Sequence, residues 1–136
     1  MDINSIYTKT VTIINRKFGK DTADHLDLWK KTVLSGVAYY DKSNKIISNN
    51  DIQIVKSSIV LIPFGKGYLS YPVWKSNMTG FTVSENDYIS FDTVDEVLTN
   101  ENIVAVMNNH LCCRVKSFES LEDRDGNYIQ LKIEGS

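Results

Sequence analysis

The sequence predicts a mainly β protein, a small β-barrel or sandwich with a long central loop and at most one short helix. Three observations predict it. The 136 residues include 14 Ile, 12 Val and 9 Thr against 3 Ala, and branching at Cβ favours the pleated backbone over the helix. Apolar and polar side chains alternate with period two over several runs. Turn residues punctuate those runs at hairpin spacing. A chain of this length buries roughly two-thirds of its unfolded surface, enough for one core. No linker, repeat or block of like charge divides it, so residues 1–136 read as a single β-rich domain.

The elements follow in order. Thr8, Thr10 and Thr12 alternate with Tyr7, Lys9, Val11 and Ile13, a first strand with one hydroxyl-bearing face. His25 to Leu34 alternates again, and the Gly and Asp of 18–24 supply a loose hairpin loop between the two. Ser35-Gly36 breaks or bulges the strand, which resumes at Val37 to Tyr40 before Asp41-Lys42-Ser43-Asn44. Ile52 to Ile62 ends at Pro63, and its apolar run from Ile59 reads as a strand covered on both faces. Leu111 to Phe118 and Tyr128 to Glu134 flank an Asp-Gly turn and form a closing hairpin. Asp92 or Thr93 caps either one to two turns of helix over Val94 to Leu98 or an irregular loop.

Between Pro63 and Phe81 lies the unusual segment. Residues 64–80 hold three Gly and one Pro, against regular structure, yet also Phe64, Tyr68, Leu69, Tyr71, Val73, Trp74 and Met78. Long structureless connections in small domains are functional or disordered, and this composition is not that of disorder. Either the aromatics fold back over their own barrel as a lid, or they dock on a neighbouring copy or partner. The excess of large side chains favours docking, with 64–80 as a protruding interaction loop and those seven residues as its contacts.

Chemistry finds little support in the motifs. His25 and His110 lack any metal-ligand spacing, and the adjacent Cys112 and Cys113 read as reduced thiols on opposite strand faces. Gly65-Lys66-Gly67 lacks the rest of a phosphate loop. Asp123-x-Asp125-x-Asn127 with Glu134 imitates a calcium loop, but its glycine is misplaced and its flanks are strands, so a hairpin turn is the better reading. Glu85, Asp87, Asp92, Asp95 and Glu96 read as a solvated or partner-facing acidic cluster. The expectation is a non-enzyme: no catalytic residue, no metal and no cofactor.

The net charge of −2 argues against a dedicated nucleic-acid binder. No apolar run approaches the ~20 residues of a membrane span. Met1 to Ser5 has neither the basic start nor the apolar stretch of a secretory signal. A soluble product made in the cytoplasm, with no membrane partner, is expected.

Three passages resemble a known family. They are Tyr7 to Arg16, the Trp-x-x-Thr-Val-Leu-x-Gly-Val pattern from Trp29 to Val37, and the closing hairpin with its tail from Tyr128 to Gly135. Together they resemble the head-completion proteins of tailed phages and prophages of Gram-positive bacteria, the connector or stopper ring between portal and tail. At Glu85-Asn86-Asp87 the chain departs from that family's Pro-Gly-Asp turn. The resemblance implies a β-barrel protomer in a six- or twelve-fold homo-oligomeric ring at the virion neck. Its neighbours would be the portal or adaptor and the tail terminator, with DNA passing only non-specifically. A tail-terminator or tail-completion ring is the neighbouring alternative. From another class comes an oligonucleotide- or ligand-binding barrel, with Tyr68, Tyr71 and Trp74 as stacking platforms beside Lys66 and Lys75.

Overall fold

The computed structural model describes residues 6–48, 51–122, 124–125 and 128–136, with the backbone alone for 42–48, 51–56 and 128. Six antiparallel strands close a barrel. They are β1 (Lys9–Lys17), β2 (Leu28–Ser48), β3 (Asp51–Pro63), β4 (Tyr88–Ser90), β5 (Cys112–Glu122) and β6 (Tyr128–Gly135). Their order around the barrel is β1-β2-β3-β6-β5-β4, with β4 pairing back onto β1. Alternation decides which side chains face inward. Val11 and Ile13 of β1 join Val37, Val60, Ile62, Ile89, Val115, Leu131 and Ile133 in a filled interior.

The threonine face of β1 looks outward, and at Thr12 it is covered. The Thr12 hydroxyl donates to the Asp92 carbonyl (2.7 Å) and accepts from the Val94 N–H (3.3 Å), pinning residues 92–94 to the outside of the barrel. Beside it, Ile14 packs with Val94, Ile103, Val106 and Met107 in a second apolar cluster. Helix α2 (Ile103–Asn108) supplies three of those side chains from one face. The segment Val94 to Leu98 is an irregular strap, the non-helical of its two readings.

Gly36 is the bulge that the sequence marks. The β1–β2 register slips there, Lys9 facing Val37 while Thr10 faces Ser35, and Gly36 takes φ +75°. Past it β2 does not stop at Asp41 to Asn44. It runs on to Ser48, because β3 pairs with it all the way from Ala38–Leu61 to Ser48–Asp51. The closing hairpin pairs as expected, from Phe118–Ile133 to Glu122–Tyr128. Its turn residues Asp123, Gly126 and Asn127, with the calcium-loop imitation they carry, lie outside the described residues.

Topology gives the connections their jobs. In the ring of strands β3 and β4 stand three places apart, on opposite sides, so residues 64–87 must cross the barrel end where β1 finishes and β2 begins. The other end carries the root of the β2–β3 hairpin. There β1 leaves β2 at Val37 and β6 leaves β3 at Ser58, and the hairpin continues alone.

Candidate functional site

The connection that crosses the barrel end is the aromatic segment, and it contains a helix. Ser70 sits extended in the cap position, Pro72 occupies the first turn, and α1 (Tyr71–Asn77) ends at Met78 in the left-handed region. The glycines and proline that argue against regular structure flank or start this helix instead of breaking it. Backbone bonds stitch the segment down on both sides. The Leu69 N–H donates to the Phe81 carbonyl (2.9 Å) and the Phe81 N–H to the Gly67 carbonyl (3.1 Å). Gly80 lies so close to Gly67 that a Cβ there would stand 2.4 Å from its carbonyl oxygen, at φ +70°. From β2, the Lys30 ammonium donates to the carbonyls of Met78 and Gly80.

Of the seven expected contact residues, the structure turns the central one inward. Trp74 is 0% exposed and stacks at 6.1 Å on Tyr71. Tyr68 packs on the buried Phe81 at 5.9 Å. Leu69, Tyr71 and Met78 are half-buried. Only Phe64 (69% exposed) and Val73 (55%) face outward. The segment is thus a lid on its own barrel, and protrusion is corrected: an apolar barrel end needs covering, and the crossing connection is the chain nearest to it. Of the three expected stacking platforms, Trp74 offers no face to a nucleotide, and Tyr68 and Tyr71 are half-buried.

Polar groups fix the lid. The Tyr71 hydroxyl donates to Asp21 Oδ2 (2.7 Å) and accepts from the Phe18 N–H (2.9 Å), while Lys75 Nζ donates to Asp21 Oδ1 (3.0 Å). Burial, and then the Asp21 carboxylate, push the Tyr71 phenol up to about 12. The hydrogen bonds from Tyr71 and Lys75 hold Asp21 below its ordinary value.

Beneath the lid lies a buried polar cluster. Asn15, next inward on β1 after Ile13, donates to the Thr82 carbonyl (2.6 Å) and to Asp87 Oδ2 (2.8 Å), and accepts from the Thr82 N–H (3.1 Å). Ser84 N–H gives Asp87 Oδ2 another bond (3.0 Å). Asp87 is 1% exposed, and burial pushes its carboxyl up to about 6 against the hydrogen bonds of Asn15 and Ser84. Three buried atoms of this region have no hydrogen-bond partner among the described residues: Trp74 Nε1, Thr82 Oγ1 and Asp87 Oδ1. Asp87 therefore leaves the expected acidic surface cluster and becomes a core residue.

Two other members of that cluster, Asp92 and Glu96, flank a histidine. His110 Nδ1 lies 3.0 Å from each Asp92 carboxylate oxygen, and its Nε2 lies 2.8 Å from Glu96 Oε2. Both carboxylates raise the His110 pKa. Ser90 donates to Asp92 and not to His110. The order is hydroxyl, carboxylate, imidazole, whereas a nucleophilic triad needs the imidazole against the hydroxyl. The arrangement buttresses the strap. Sequence reasoning missed it because 18 and 14 positions separate the partners.

The thiols are equally quiet. Cys113 is buried and its pKa is pushed up to about 12; Cys112 is half-buried, is also raised by burial, and donates to the Met107 carbonyl (3.4 Å). Neither is a thiolate at neutral pH. Among the described residues no three His, Cys, Asp or Glu converge as metal ligands. No helix among them is long and apolar enough to cross a membrane. Gly65-Lys66-Gly67 is a turn, with the Lys66 ammonium lying over Gly36.

The comparisons with known proteins place the chain in one family. Residues 6–136 match the model of a family of unknown function, DUF6751, and the chain belongs to that family. No curated protein and no solved structure matches it.

Proposed function

We propose that this member of the family is a non-enzymatic structural protein of a tailed phage or prophage, forming a homo-oligomeric ring at the head–tail junction. One observation carries the reading beyond the sequence resemblance. A filled, lidded barrel sends a paired β-hairpin out past every other strand. Side chains that hold a substrate converge on a cavity; here the polar groups are spent on pinning the lid and the strap, and the extension is built of backbone pairing. Such an extension suits a contact between subunits in which one patch meets a different patch on the next copy. The mild negative charge suits a conduit, because a strongly cationic wall would retain DNA.

The ring would sit between the portal or adaptor and the tail terminator, with passing DNA touched only non-specifically. The exposed Phe64 and Val73 are the lid residues open to such neighbours. Fractionation of particles tests the reading. Phage lacking the gene should accumulate DNA-filled heads beside free tails, and the protein should be found on intact particles and on tail-less heads. Normal, infectious particles from the deletion would overturn it. Its detection on free tails alone would move it to the tail-terminator side.

A further inference from the structure

Among the described residues, the β2–β3 hairpin beyond Asp41 and Ser58 has no strand on either edge. Seven pairs, from Lys42–Ser57 to Ser48–Asp51, hold it together. At about 3.4 Å per residue it reaches roughly 20 Å past the barrel. A lone two-stranded hairpin is marginal in water, and this one carries Ile46, Ile47, Ile52, Ile54 and Val55. Its charge is one-sided: Lys42, Lys45 and Lys56 against Asp51.

The outer layer of the barrel has the opposite character. Residues 92–111 hold Asp92 and Glu96, which pair with His110, and Asp95 and Glu101, with no Lys or Arg. Among them Val97 (78% exposed), Val104 (62%) and Leu111 (78%) stand in solvent. A basic, isoleucine-rich arm and an acidic wall with exposed aliphatics are complementary in both charge and polarity. Three lysines in a hairpin with free edges also disfavour edge-to-edge pairing of two arms, which leaves the wall as the better seat.

We infer that the arm of one copy docks on the 92–111 wall of a second copy of this chain, a head-to-tail contact that propagates from subunit to subunit. The inference rests on the assembly reading above and specifies its surfaces. Because arm and wall are different patches, the contact closes into a ring or runs into a filament according to the rotation between copies.

Charge reversal with complementation in trans tests it. The arm variant is K42E/K45E and the wall variant is D95K/E101K, each checked for its fold by circular dichroism and read by sedimentation. The wild-type chain should self-associate, and each variant alone should do so at least about tenfold more weakly. An equimolar mixture of the two variants should associate again, since the acidic arm of one then meets the basic wall of the other. Undiminished association of both variants would overturn the contact while leaving the ring standing. A mixture of folded variants that stays dissociated would overturn it too, as would a wild-type chain monomeric up to about 1 mM. Particle fractionation judges the neck assignment independently of all these results.

Discussion

Two excursions leave the strands of this barrel, and they meet opposite fates. Residues 64–80 hold the seven side chains that sequence reading regards as sticky, and five of them, Tyr68, Leu69, Tyr71, Trp74 and Met78, fold at least partly inward over the barrel end, while Phe64 and Val73 stay exposed. The β2–β3 arm, plainer in composition, is the one left reaching outward. The comparison teaches that apolar side chains announce a surface to be covered without saying which surface covers them. The lid is covered because its two ends are fixed on opposite sides of an open barrel, so its shortest path lies over exposed core. The arm has no such constraint. Its ends are adjacent strands, and it extends as far as pairing continues.

The largest test of this contrast is Trp74→Ala. A fully buried tryptophan removed from under the lid should cost about 3–5 kcal/mol of unfolding free energy. Urea denaturation measures it, and the folded fraction should self-associate as before. Unchanged stability with lost association would invert the two roles.

Next comes pH, acting through the cluster beneath the lid. Burial holds the Asp87 carboxyl at about 6 in the folded state, above its ordinary 3.8, so the folded state holds this proton more tightly than the unfolded one. The contribution of Asp87 to stability should therefore be greatest below about pH 4, fall as pH rises through the window to about 6, and level off above it. The span is on the order of 3 kcal/mol for this group. Asp87→Asn should flatten that window in melts taken across pH 4 to 7. A slope unchanged in the variant would mean that another group titrates. His110 runs separately: its raised pKa gives a stabilisation present below its unfolded value and lost as pH climbs through the folded one. The strap, and not the lid, should loosen as pH climbs through that folded value, which amide hydrogen exchange at Val94 would follow.

Tyr71→Phe sharpens the lid side with a smaller effect. It deletes the bonds to Asp21 and from Phe18 while keeping the ring on Trp74, and about 1–2 kcal/mol should be lost in the same urea experiment. The smallest stability effect belongs to the arm. Replacing 43–56 with an Asn-Gly turn should leave monomer stability within about 1 kcal/mol, because the removed pairs touch no other strand. A large loss would show the arm to be part of the monomer core.

Much of the barrel was legible in the chain. Alternation located β1, the first half of β2, β3 and the closing hairpin, and the Ser35-Gly36 break is the bulge that shifts the β1–β2 register. Less legible was helix α1, although Ser70 followed by Pro72 is a helix-start signal that the surrounding glycines outweighed. The Asn15–Asp87 bond joins residues 72 apart in the chain, and no local pattern encodes it.

By itself, the sequence determined a β-rich domain with inward-alternating strands, because side-chain periodicity and Cβ branching act over a few residues at a time. Tertiary structure alone decided that Trp74 is core, that Asp87 is buried, and that the β2–β3 hairpin stands free. Those outcomes depend on strand order around the closed barrel. That order is set by pairing between distant segments, and it decides which connection must cross an open end and which has nothing to cross.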